Sequence, residues 1–428
     1  MKTTYLLLCL LGIGSISGAG QTKQPQKIGD FIESTSYNEH RRNATRSLQY
    51  TPDGDDFVCI NGKNRFTRAL YGSHTAFRLE TSDRPVFAAY TKENPKHICF
   101  KLQTSGGTVA LDSTEHCESR YTAGRRSYSL FDPAFGGGSL SITTWALPDK
   151  EGAIWQFNAR NFKGFHPVLL ASISEIRNSK LNRNGDMGAD PADSFEAPLQ
   201  PQQLQSFPAQ IDGTLYILLD NQELRTLTTA EGETLFKKAE AARSETASRI
   251  RIETPDPYFN TLGGTLAMAA DGIWDGEVWL HGAIGWRMPL SGWRAAYTGD
   301  VLGWHDRART HFNAYAASQV TEVPNTFPHP AQDSALHLAR SVKKWGTPQY
   351  SNGYICRNPH RNNQMHHYDM NLCYIDELLW HFKWTGDLDY ARQMWPVITR
   401  HLAWEKLNYD PDNDGLYDAY ACKIGRAH

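Results

Sequence analysis

The sequence contains no apolar run long enough to cross a bilayer. Leu6 to Ile13 is short of the roughly 20 apolar residues a spanning helix needs, and no later stretch approaches that length. An excess of either charge is also missing. Lys and Arg total 44 and Asp and Glu 46, so a net charge of -2 offers no basic field for nucleic acid and no attraction to an anionic membrane. Cysteine is scarce, with 7 in 428 residues, which excludes a disulfide scaffold. Cys59, Cys99, Cys117, Cys356 and Cys373 show no metal-ligand spacing. Pairing among Cys59, Cys99 and Cys117 stays open for an exported chain, beside the default reading of small buried apolar residues. A nucleotide-binding glycine loop, a G-x-S-x-G elbow and an H-E-x-x-H helix are all absent.

What is present begins with an export signal. Lys2, the apolar run and Ser17-Gly18-Ala19 predict a signal peptide over 1–20, hence a periplasmic or secreted protein. A polar leader is expected over 21–45. Residues 46–225 carry short β-branched and aromatic runs such as "HICFKLQT", "AIWQFNAR" and "GTLYILLD", each closed by Gly, Asn, Asp or Pro. That pattern predicts an antiparallel β-sandwich, with a long surface loop over 178–205. Residues 226–254 alternate in charge and predict a linker helix. From 255 to 422 helices dominate, and 10 of the 12 tryptophans fall after residue 270. Asp300 is expected to cap the helix that follows it, and Asp387 the helix at "LDYARQMW". Leu372, Ile375, Leu379 and Phe382 are expected to share one apolar helix face. The final "KIGRAH", 423–428, back-translates to AAG ATC GGA AGA GCA CAC, most of which matches a common sequencing adapter. The natural protein is therefore expected to continue.

The candidate chemistry concentrates in "GWRMPLSGWRAAYTGDVLGWHD", Gly285 to Asp306. Glycine before tryptophan permits tight turns and close approach, and an indole offers a flat apolar face with one N–H donor. Trp286, Trp293 and Trp304 could wall a sugar site, with Arg287, Arg294 and His305 binding hydroxyls. Asp300 and Asp306 are the visible carboxylate candidates for acid–base work, with Asp300 also suited to substrate binding. The plainer alternative is a packed aromatic core with satisfied charges. "NNQMHHYDMN" adds His367 and Asp369 before an amphipathic helix, and Asp369 serves equally as a helix cap. No cofactor is expected. Asp410, Asp412 and Asp414 begin a calcium-loop pattern, but its twelfth position is Ala421 rather than a bidentate Glu.

These residues resemble a known superfamily. "GWRMPLSGWRAAYTGDVLGWHDRA", the run from His366 to Glu405, and "DPDNDGLYDAY" look like the early hairpins of the six-hairpin, (α/α)6-barrel glycosidases. "DFVCINGKNRFTRALYGSHTAFRLE", 56–80, is similar to an exported bacterial group carrying domain of unknown function 4450. The resemblance implies a multi-domain fold, β then α: an N-terminal antiparallel β-sandwich, a linker helix, and the first hairpins of an incomplete (α/α)6 barrel. It implies a glycoside hydrolase acting on an oligosaccharide or polysaccharide fragment, whose main acid lies beyond the last residue. A non-catalytic glycan-binding protein and a disaccharide phosphorylase are the alternatives. The expected partner is a carbohydrate, with no nucleic acid and no membrane span.

Overall fold

A computed structural model describes residues 50–63, 68–72, 76–90, 96–175, 203–220, 223–282, 287–292, 295–324, 351–363, 369–410 and 413–417. Its first half is β structure, and alternation along the strands sets the two faces. In β8 (His116–Thr122) Cys117, Ser119 and Tyr121 point inward, and in β9 (Arg125–Phe131) Arg126, Tyr128 and Leu130 do. Side chains on a strand alternate sides, so each strand supplies every second residue to the core.

One sheet has eight strands. It runs β1 (Thr51–Asp53), β2 (Asp56–Ile60), β8, β9, β10 (Ser139–Ala146), β11 (Gly152–Arg160), β14 (Thr214–Asp220) and β15 (Glu223–Leu227). The other has seven. Its order is β13 (Gln203–Gln210), β12 (Val168–Glu175), β6 (Lys96–Thr104), β5 (Val86–Tyr90), β4 (Arg78–Thr81) and β3 (Arg68–Tyr71), with β7 (Gly107–Ala110) also paired to β6. All pairings are antiparallel. The inner faces share one core, where Phe87 and Phe100 of one sheet meet Trp155 of the other edge to face, with centroids 5.4 and 5.7 Å apart. Such T-shaped pairs suit the ring quadrupole.

The linker helix is α1 (Thr229–Ala247), shorter than the 226–254 expected. Thr228 and Glu231 close it with a capping box: the Thr228 hydroxyl accepts from the Glu231 N–H, and the Glu231 carboxylate accepts from the Thr228 N–H. Leu235, Phe236 and Ala239 of α1 cover Trp145, Ile154, Tyr216 and Leu218 on the outer face of the eight-stranded sheet. Beyond it come α2 (Pro257–Asn260), α3 (Leu262–Gly272), α4 (Tyr297–Val301), α5 (His305–Ala316), α6 (Asp369–Thr385) and α7 (Leu388–Tyr409). Sheets and helices belong to one compact unit, Tyr50–His428. None of the described helices is long and apolar enough to cross a membrane.

Two expectations need correction. Asp300 does not cap a long helix. It lies within α4, and Gly303, at φ 74°, breaks the chain before α5 starts at His305. Leu372 and Leu379 do not share a buried face with Ile375: each is 41% exposed, while Ile375 is buried. The α6 face that packs inward carries Tyr374, Ile375, Leu378 and His381. The described residues place helices in the second half of the chain, as expected, without themselves showing a barrel. Asp387 does cap α7, accepting from the Tyr390 N–H at 2.8 Å, after Gly386 turns the chain at φ 64°. The 423–428 tail and the first 49 residues lie outside the described residues.

Candidate functional site

Of the tryptophan-rich stretch, Trp286, Trp293 and Arg294 lie outside the described residues, as does His367; Asp369 opens α6 but its side chain is not described. The remaining candidates can be placed.

Arg287 is half-buried, and its Nη1 donates to the Gly272 carbonyl at 3.1 Å. The buried Arg78 of β4 donates to the same oxygen and lies over the Tyr71 ring. Burial, and then the neighbouring Arg287, push the Arg78 guanidinium down to about 9. A carbonyl at the C-terminal end of α3 is a favourable acceptor for cations. Arg287 therefore ties its loop, together with the sheet, to α3.

Trp304 is buried at the start of α5, and two guanidiniums lie over its ring. Arg307 lies 4.3 Å and Arg249 5.1 Å from its ring. Arg307 also bonds the buried Asp271 at 2.7 Å, and Arg249 donates to the Leu302 carbonyl at 2.9 Å. These groups line a cavity of about 200 Å³ where the eight-stranded sheet, α1, α3 and α5 meet, with Glu245 and Tyr71 on its wall. A larger cavity, about 560 Å³, lies along α1 between Asp55, Arg251, Glu253 and Asn260 but meets no tryptophan.

Asp300 and Asp306 have opposite surroundings. Asp300 is buried, and His305 Nδ1 lies 2.7 Å from its Oδ1. His381 Nδ1, on α6, approaches the same carboxylate at 2.9 and 3.0 Å. An ionised carboxylate only accepts, so both imidazoles present Nδ1–H to it and keep Nε2 as the other nitrogen. Asp306 is exposed in the first turn of α5, where a negative charge favours the helix dipole. His305 is half-exposed, with its ring fixed by Asp300.

Sequence reasoning missed His381, Asp271, Arg307 and Arg249. His381 could have been noticed as a polar residue on the apolar side of α6, three after Leu378. Asp271 and Arg307 gave no signal, because their pairing spans two helices.

In the acidic turn, Asp410 accepts from the Gly415 N–H at 3.3 Å and Asp414 from the Leu416 N–H at 2.8 Å; Asp412 lies outside the described residues. Among the described residues no three His, Cys, Asp or Glu side chains gather as a metal site. Cys59, Cys99, Cys117, Cys356 and Cys373 are free thiols, so the pairing left open for the first three is not formed. Burial pushes the Cys117 thiol up to about 12, which leaves it unreactive.

Residues 95–249 match the family model described as a domain of unknown function, DUF4450. The match takes in β6 through α1 and does not reach the 56–80 segment that suggested the same group. No curated protein matches the chain.

Proposed function

We propose that this protein is an exported glycoside hydrolase that cleaves glycosidic bonds in an oligosaccharide or polysaccharide fragment. The helices beyond Pro255 are read as hairpins of an (α/α)6 barrel; the tight turn from α6 to α7 through Gly386 and Asp387 supports this. The observation that carries the functional reading is the junction cavity. There Trp304, two guanidiniums and the Asp271 carboxylate converge on a space suited to one sugar ring. Hydroxyls both donate and accept, so arginine donors beside a carboxylate acceptor match them.

Glycosidic cleavage normally uses two carboxyl groups flanking the bond. Asp300, turned to two histidines, is a positioning residue for His305 and not one of that pair. Asp306 keeps its candidacy through exposure alone. The engagement of Asp300 favours a second reading, a glycan-binding protein without turnover.

The test is to incubate the full chain with a panel of oligosaccharides, following both binding and release of reducing ends. Arg249→Gln should weaken binding about tenfold, the loss expected for hydrogen bonds to a charged donor, with a cooperative melt retained at a slightly lower Tm because the Leu302 carbonyl bond is also lost. Binding without product would select the glycan-binding reading. An Arg249→Gln variant that binds every glycan as the wild type does would remove the cavity from the proposal.

A further inference from the structure

We infer that the sugar ring bound in the junction cavity carries a carboxylate, making it a uronic acid, and that Arg249 recognises that group. This rests on the reading of the cavity as a sugar site. The argument starts from two arginines of the same wall, Arg243 near the end of α1 and Arg249 just past it. Arg243 engages all three of its guanidinium nitrogens. Its Nη1 donates to the Ala123 carbonyl at 2.9 Å, while Nε and Nη2 hold the two carboxylate oxygens of Glu240 at 3.0 and 2.6 Å. Two parallel N–H groups facing two carboxylate oxygens form the bidentate arrangement to which a guanidinium is suited.

Arg249 repeats half of that pattern. Its Nη1 donates to the Leu302 carbonyl, also at 2.9 Å, and its guanidinium lies over the Trp304 ring. The Nε and Nη2 edge, which in Arg243 holds Glu240, meets no carboxylate among the described residues. Glu245, one turn before Arg249 on the same wall, is exposed and forms no ion pair with it. The third arginine of the wall, Arg307, is matched by Asp271 at 2.7 Å. Two of the three guanidiniums are therefore neutralised by acids of the protein, and the third keeps an uncompensated charge beside the cavity.

The bond to Leu302 and the contact with Trp304 fix the guanidinium plane, although the side chain is exposed and a ligand can reach it. An edge fixed before binding costs little further ordering. A carboxylate fits that edge as Glu240 fits Arg243, whereas a hydroxyl brings one oxygen and no charge. A sulfate ester presents tetrahedral oxygens, so the planar fork favours a carboxylate. The rest of the wall suits ring hydroxyls: Asp271 and Glu245 accept, and Arg307 donates. A uronic acid carries both sets of groups on one ring. A neutral sugar would cover the Arg249 charge without pairing it, which lowers affinity.

The full chain is titrated calorimetrically with fragments of polygalacturonate, glucuronoxylan and alginate, each beside its carboxyl-reduced form, and with a sulfated galactan fragment. At least one uronide should bind about tenfold or more tighter than its reduced form, the gain of a charge-assisted bidentate contact. That difference should shrink as salt is raised. Arg249→Gln should abolish it. Arg249→Lys keeps the charge without the fork and should retain only part of it. A cooperative melt shows that each variant is folded. Equal binding of every uronide and its reduced form would overturn the inference while leaving the sugar site standing. So would a preference for the sulfated fragment, or a uronide preference that survives in Arg249→Gln, because the anion would then be recognised by other chemistry or elsewhere. Failure of every glycan to bind, acidic or neutral, would remove the underlying sugar-site reading as well.

Discussion

Ile60 and Phe131 are the large apolar side chains that stand exposed on the described sheets. The described region from 257 onward exposes Phe259, Leu266, Val301, Leu372, Leu379, Trp380, Trp384, Leu388, Trp395, Leu402, Leu416 and Tyr417. The sheets close on each other, and α1 covers one outer face, so almost every apolar strand residue has a partner. Helices α6 and α7 bury one side only. The other side carries Trp380, Trp384 and Trp395 at 46, 53 and 57% exposure. The halves also differ in their buried charge. In the sheets, Arg126 is enclosed by the Ser82 carbonyl, the Tyr50 hydroxyl and three tyrosine rings. In the helices, buried histidines meet carboxylates at His381–Asp300 and His401–Glu405. The sheets enclose their buried cation in carbonyl, hydroxyl and ring partners, whereas the helices pair buried imidazoles with carboxylates.

Paired tryptophan substitutions test this contrast most severely. Trp155→Ala, in the shared sheet core, should cost about 3–5 kcal/mol. Trp384→Ala should change stability by no more than about 0.5 kcal/mol. Urea midpoints measure both, and equal costs would mean that the α6 face is covered in solution.

Acid should loosen the helices first. Burial pushes His311 down to about 3, with the Ser291 backbone pulling the other way by less. Above the ordinary value of 6.5 both folded and unfolded states are neutral and the full stability is present. As pH falls from 6.5 toward 3, the unfolded chain takes up a proton that the folded one refuses, and a few kcal/mol are lost. His311→Gln should flatten that slope. If the slope is the same in wild type and variant, acid sensitivity resides elsewhere.

The smallest effect concerns the element between the halves. Thr228→Ala removes the capping hydroxyl of α1 and should cost about 1 kcal/mol. Hydrogen exchange should quicken in the first turn of α1 while the sheet amides stay protected. Loss of protection across the eight-stranded sheet would show that α1 and the sheet open together.

Local chemistry made several features legible. Alternating residues and their turn closers marked the strands, alternating charge marked the linker helix, and Asp387 marked the start of α7. The buried side of α6 was not legible. That helix has apolar residues nearly all round, so periodicity alone selected Leu372 and Leu379, while contacts with α4, α5 and α7 chose Ile375 and Leu378. The roles of Asp300 and Arg287 were hidden for a similar reason: their partners, His381 and Gly272, are distant in sequence.

The sequence by itself determined where strands, caps and turns fall, because those depend on neighbouring residues and backbone preference. Only the tertiary structure decided that two arginines lie over Trp304, that Asp300 serves two histidines, and that Arg249 meets no carboxylate among the described residues. Burial and pairing depend on which surfaces meet, and that is settled by the packing of the whole chain.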